Sequence, residues 1–159
     1  MRIAICGLLC LWTGTVRADD YLTKDGQLTE KLVVEQRQGG FAGFTGIRYT
    51  IATDGAWTSE TLFNEKAKPK DKGKLSEKEI AALAGVLAKQ EFDKLPAKIG
   101  KAPGANPYKL ALTFGKKKVE FIGRAPPRLD DADRTSAESR LALIWQGMTG
   151  LLTPKPGTE

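Results

Sequence analysis

Histidine is absent from the whole chain, and its two cysteines, Cys6 and Cys10, both fall within the first ten residues. If that stretch is removed on export, the working protein has neither imidazole nor thiol. The usual nucleophile–base pairs, histidine acids, and zinc or iron centres built on imidazole or thiolate are then excluded. Paired carboxylates remain possible, and Asp130, Asp131 and Asp133 form the densest acidic cluster. They stand just before a helix start, where carboxylates stabilise the free amides and the positive end of the dipole. A solvated helix start is therefore the preferred reading. A Ser–Lys dyad has no spacing to mark it, and no Gly-x-Ser-x-Gly elbow occurs. These residues describe a binding protein without catalytic residues, metal or cofactor.

The segment that invites a partner is Gly39-Gly40-Phe41-Ala42-Gly43-Phe44. Its glycines allow positive φ and close approach to another surface, while two aromatic rings are offered beside them. Two placements are open: rings exposed to a partner, or Phe41 and Phe44 folded back to cap the core while the glycines make a wide turn or bulge. The lysines Lys66, Lys68, Lys70, Lys72 and Lys74 are interleaved with Pro69 and Gly73 and carry no aromatics. That pattern suits a solvated flexible loop, since a nucleic-acid groove wants stacking residues among its charges.

The elements that must position these residues follow from hydrophobic period and turn chemistry. Residues 1–18 read as a signal peptide: Arg2 is the basic start, Ile3 to Trp12 the short apolar run, and Val16-Arg17-Ala18 the cleavage signal. Cleavage near Ala18 removes Arg2 and Arg17, takes the formal charge from +6 to +4, and sends the protein to the periplasm or beyond the cell. The apolar run is too short for a mature span, which takes roughly 20 residues, so no membrane contact is expected after cleavage. Residues 19–30 read as a loose polar arm, 31–152 as a single domain, and 153–159 as a tail. Within the domain, strands are expected at 31–37, 45–53 and 56–62, where Ile47, Tyr49 and Ile51 alternate with polar neighbours and Asp54-Gly55 supplies a hairpin turn. A helix follows from the capping pair Ser76 and Glu79, with Ile80, Leu83, Ala84 and Leu87 on one face. Phe92 and Leu95 anchor its exit. A second hairpin carries Tyr108, Leu110, Leu112 and Phe114, then Val119 and Phe121. Thr135 and Glu138 offer another capping box before a helix with Leu141, Ile144, Trp145, Met148 and Leu152. The fold class is α+β: an antiparallel sheet of about five strands, a three-strand meander plus a hairpin, packed with two amphipathic helices.

Gly39-Gly40-Phe41-Ala42-Gly43, the strand with Arg48-Tyr49-Thr50-Ile51, the helix start Leu75 to Glu79, the exit Phe92-Asp93-Lys94-Leu95-Pro96 and the strand Tyr108 to Leu112 together resemble the emfourins. These are small protein inhibitors of protealysin, a thermolysin-like metalloprotease. The resemblance implies a reversible inhibitor that occupies the substrate cleft of such a protease, the metal belonging to the enzyme; the chain itself is expected to be a monomer. Gly39, Gly40, Phe41, Ala42 and Gly43 match the signature, and Phe44 joins them as a second ring of the same segment. The signal peptide, the lysine-rich stretch and the connection 124–134 depart from the family pattern. The alternative is an exported binding or scaffold domain that meets an acidic partner through its sheet face or lysine-rich segment.

Overall fold

The computed structural model describes residues 17–130 and 132–152; most of the expected leader and the expected tail lie outside them. One sheet of seven strands organises the domain, in the order β4-β3-β2-β1-β6-β7-β5. The strands are β1 (Leu32–Gly40), β2 (Gly43–Ile51), β3 (Ala56–Phe63), β4 (Lys66–Lys74), β5 (Lys98–Gly100), β6 (Tyr108–Phe114) and β7 (Lys117–Gly123). Helices α1 (Glu77–Lys89) and α2 (Ala137–Leu152) pack on one of its faces.

The side-chain period of two explains that face. Leu32 and Val34 of β1 stand opposite Ile51 and Tyr49 of β2 and opposite Phe114 and Leu112 of β6, so all six point to the same side. Together with Trp57, Leu110, Val119 and Phe121 they meet Ile80, Leu83 and Leu87 of α1 and Leu141, Ile144 and Met148 of α2 in a continuous core. Ser76 and Glu79 form the expected capping box at α1. Its C-terminal end is held by Arg140 of α2, whose guanidinium donates to the Gln90 and Glu91 carbonyls.

Five expectations need correction. The sheet has seven strands and is mixed, because β5 runs parallel to β7 through Lys98–Glu120, Ile99–Phe121 and Gly100–Ile122. The lysine-rich stretch is the edge strand β4, paired antiparallel with β3, and all of its residues are exposed. Its register shifts between Thr58 and Glu60, where the Asp71 amide donates to Ser59 Oγ at 3.1 Å. Lysine, Pro69 and this bulge each discourage another strand from adding to the edge. The arm at 19–30 is tied down: Tyr21 and Leu28 are buried, and the Tyr21 hydroxyl donates to Asp93 Oδ2 at 2.7 Å. Burial, and then that carboxylate, push the Tyr21 phenol far above its ordinary pKa.

The capping box expected from Thr135 and Glu138 does not form. Ser136 Oγ accepts from the Ser139 amide at 3.2 Å, whereas Glu138 turns away to accept from the Arg128 amide at 3.2 Å. Finally, the glycine-rich segment is not a wide loop: Gly39–Phe44 and Gly40–Gly43 are ladder pairs, which leaves only Phe41 and Ala42 in the turn.

Candidate functional site

Strand direction brings the β1–β2 turn, the β3–β4 turn and the loop before β6 to one end of the sheet, where they are bonded to one another. On one flank of the β1–β2 hairpin, the Gly39 amide donates to the Pro107 carbonyl at 2.8 Å, and Gln38 Nε2 donates to the Asn106 carbonyl at 2.9 Å. On the other flank lies Asn64, in the turn between β3 and β4. Its amide donates to the Phe44 carbonyl at 2.7 Å, and its Oδ1 accepts from the Phe44 amide at 2.9 Å. Arg37 Nη1 then donates to the Asn64 carbonyl at 2.5 Å. The hairpin is thus held from both sides by groups outside itself.

Two glycines of the segment have a steric reason to be there. Gly43 has φ +106°, and a Cβ on it would lie 2.1 Å from Asn64 Oδ1, so a side chain would displace the clamp. A Cβ on Gly39 would lie 2.8 Å from Pro107 Cδ and 3.3 Å from the Phe44 ring. The Phe44 ring covers that bare backbone from the paired position, an arrangement that restores apolar contact at a strand glycine.

The two rings have different environments, and neither plugs the core. Phe44 is a strand residue on the face away from the helices, half-buried, with Lys109 Nζ 5.0 Å from its ring centroid. Phe41 is fully exposed at the turn. Gly40 and Ala42 are exposed beside it, whereas Gly39 is buried. The sequence brings Gly39 to Phe44 together as one feature, and the fold divides it into an offered tip and a supporting base. Asn64 is the residue that reading the sequence overlooks. A signal exists for it: asparagine tolerates left-handed backbone, and Asn64 has φ 51° at a point between two strands.

The open face of the sheet next to this end is occupied by charges that satisfy one another. Glu35, Arg48 and Glu60 are direct partners across β1, β2 and β3. Arg48 donates to Glu35 at 2.8 Å and to Glu60 at 3.2 Å, and Arg37 Nε donates to Glu35 at 2.5 Å. Burial alone would raise the Glu35 pKa, but hydrogen bonds from Arg48 and Arg37 outweigh it and hold the carboxyl below its usual range.

The acidic cluster builds no comparable site. Asp133 accepts from the Thr135 hydroxyl at 2.7 Å and from the Thr135 and Ser136 amides at 3.1 Å, contacts that lower its pKa. Asp130 Oδ1 accepts from the Ala132 amide at 2.9 Å, and Asp131 lies outside the described residues. Both carboxylates that can be placed serve the local turn before α2. Among the described residues, no group of three or more His, Cys, Asp or Glu side chains is arranged to hold a metal ion. Comparison with protein-family models and with curated proteins finds no match.

Proposed function

We propose that this chain is an exported, non-catalytic protein that inhibits a thermolysin-like metalloprotease by seating the β1–β2 hairpin in its substrate cleft. The observation that carries the reading is Phe41, fully exposed at the tip of a hairpin clamped on both flanks. Burying an exposed phenylalanine in an apolar pocket contributes about 2–3 kcal/mol. Because the turn is held before binding, little conformational entropy is lost on docking. The same rigidity explains why such a hairpin is not consumed. A protease cleaves an extended segment, and the Gly43 backbone at φ +106° cannot extend while Asn64 holds its neighbour. Gly40, Phe41, Ala42 and Gly43 present the contact surface, and Gly39 and Phe44 support it. The emfourin-like words at Gly39 to Gly43 and Phe92 to Pro96 point to the same partner class, and export rests on residues 1–18.

The test is inhibition of a thermolysin-like protease by the chain purified after export. Phe41→Ala is expected to weaken inhibition by about 2 kcal/mol, roughly 30-fold, as for buried aromatic anchors. Unchanged inhibition in that variant sinks the hairpin mechanism.

One observation favours the alternative, an exported scaffold for an acidic partner: Lys66, Lys68 and Lys72 are exposed along β4 and make no ion pair among the described residues. That reading requires salt-sensitive binding to an acidic polypeptide, lost when these lysines become glutamine and indifferent to Phe41→Ala, in a chain that inhibits no protease.

A further inference from the structure

We propose that the partner surface has two anchors, and that Phe63 at the end of β3 is the second, set in a basic rim that fits an apolar cleft with acidic lips. The proposal rests on the reading of the Phe41 hairpin as the cleft-binding element, and it adds surface that this hairpin needs. A turn of Phe41 and Ala42 cannot by itself cover the roughly 800 Å² per partner of a stable protein complex. Neighbouring surface must contribute. Among the described residues, the large hydrophobic side chains left exposed are Phe41 and Phe63, the latter at 49%. Both lie at the same end of the sheet. Phe63 pairs with Thr45, two residues along β2 from Gly43. One strand spacing and two residues of rise put it roughly 10 Å from the hairpin tip, within one partner footprint.

The surroundings of Phe63 show why it is not a stray surface residue. By register it shares a face with Thr45 and Thr61, which are exposed, and with Ile47, which is half-buried. This is the helix-bearing side of the sheet, at an end the helices leave exposed. Asn64, the next residue, is bonded to Phe44, so the two turns move as one body. Lys66 stands directly opposite Phe63 and Lys68 opposite Thr61, and neither makes an ion pair among the described residues. Two exposed rings with unpaired lysines beside them are complementary to an apolar pocket whose margin is acidic. They are a poor fit to a second copy of the same basic surface.

The experiment measures inhibition constants against a thermolysin-like protease at low and high salt, with a thermal melt for each variant. Phe63→Ala is expected to raise the inhibition constant at least about tenfold with an unchanged melt. If alanine disturbs the strand, Phe63→Thr, which suits a strand, takes its place. Lys66→Glu combined with Lys68→Glu is expected to weaken inhibition at low salt, with the difference shrinking at high salt as the charges are screened. A Phe63→Ala variant within twofold of the parent, while Phe41→Ala is weak, overturns the second anchor and leaves the hairpin reading standing. Lysine reversals without effect overturn the basic rim. A parent chain that inhibits nothing overturns both readings together.

Discussion

Asn64 provides the sharpest test of how the hairpin is held, because its backbone and side chain do separable work. The residue sits at φ 51°, in the left-handed region, while its Oδ1 accepts from the Phe44 amide at 2.9 Å. Replacement by glycine keeps the backbone conformation accessible and removes the acceptor, at a cost of about 1 kcal/mol for one net hydrogen bond. Alanine removes the same acceptor and adds the left-handed penalty of about 1–2 kcal/mol, for a total of about 2–3 kcal/mol. Aspartate retains both an acceptor and tolerance of this backbone, so its loss should stay within about 0.5 kcal/mol. The Arg37 bond to the Asn64 carbonyl is common to all three variants, since it is made to main chain. Urea unfolding at constant slope gives the order parent, Asp, Gly, Ala in falling midpoint. An alanine variant as stable as the glycine one would refute the left-handed argument, and an aspartate variant as weak as glycine would refute the side-chain clamp.

Three further outcomes follow from other parts of the molecule. The Tyr108 hydroxyl is buried without a hydrogen-bond partner among the described residues, and burial pushes its pKa up to about 12. Tyr108→Phe should therefore be neutral or stabilising by up to about 1 kcal/mol in the same urea assay, and a loss larger than that would reveal a buried water on the hydroxyl. Glu35 has a pKa below its unfolded value, so its contribution is complete above the unfolded carboxyl range, about pH 4.3, and is lost as pH falls through the lower folded value. The stability gap between the parent and Glu35→Gln should accordingly close on acidification below pH ~4, and a gap constant down to pH ~2 would contradict the Arg48–Glu35–Arg37 arrangement. Replacing Lys66, Lys68 and Lys72 together by threonine should leave the fold intact but produce concentration-dependent light scattering, because the β4 edge loses its like-charge protection. Scattering equal to the parent's would show that Pro69 and the bulge suffice.

What could be read from the sequence depended on whether a residue's environment was encoded locally. β6 announced itself because Tyr108, Leu110, Leu112 and Phe114 are buried in alternation, and α1 because Ser76 and Glu79 cap it. β4 did not, since an edge strand exposed along its whole length needs no apolar alternation, and its Lys, Pro and Gly carry no strand preference. β5 was hidden for another reason: Ile99 is its one buried residue, and its pairing partner lies in β7, beyond an intervening strand. In the segment before β1, the pair Tyr21-Leu22 and the lone Leu28 stand in polar company without a period, and only the fold shows Tyr21 and Leu28 in the core with Leu22 packed against it. At the candidate site, composition singled out six residues, Gly39 to Phe44, but not the different positions the fold gives them. Glycines that suggested a wide loop are ladder residues, because main-chain pairing between Gly40 and Gly43 needs no side chains.

That division gives the exposure of Phe41 its weight. A single exposed apolar residue ordinarily means little, since more than half of a protein's surface is apolar. Here the surrounding structure manages its surface closely. The β4 edge carries lysines, a proline and a bulge, and the open face neutralises its own charges through Arg37, Glu35, Arg48 and Glu60. At the hairpin, Phe44 covers Gly39, and Asn64 Oδ1 takes the Phe44 amide and fills the place a Cβ on Gly43 would need. Among the described residues nothing comparable shields Phe41, although a polar residue would satisfy a two-residue turn equally well and would lower the risk of self-association. A clamp at the base and an unshielded ring at the tip are what a preorganised anchor requires, and a hairpin that merely reversed the chain would need neither.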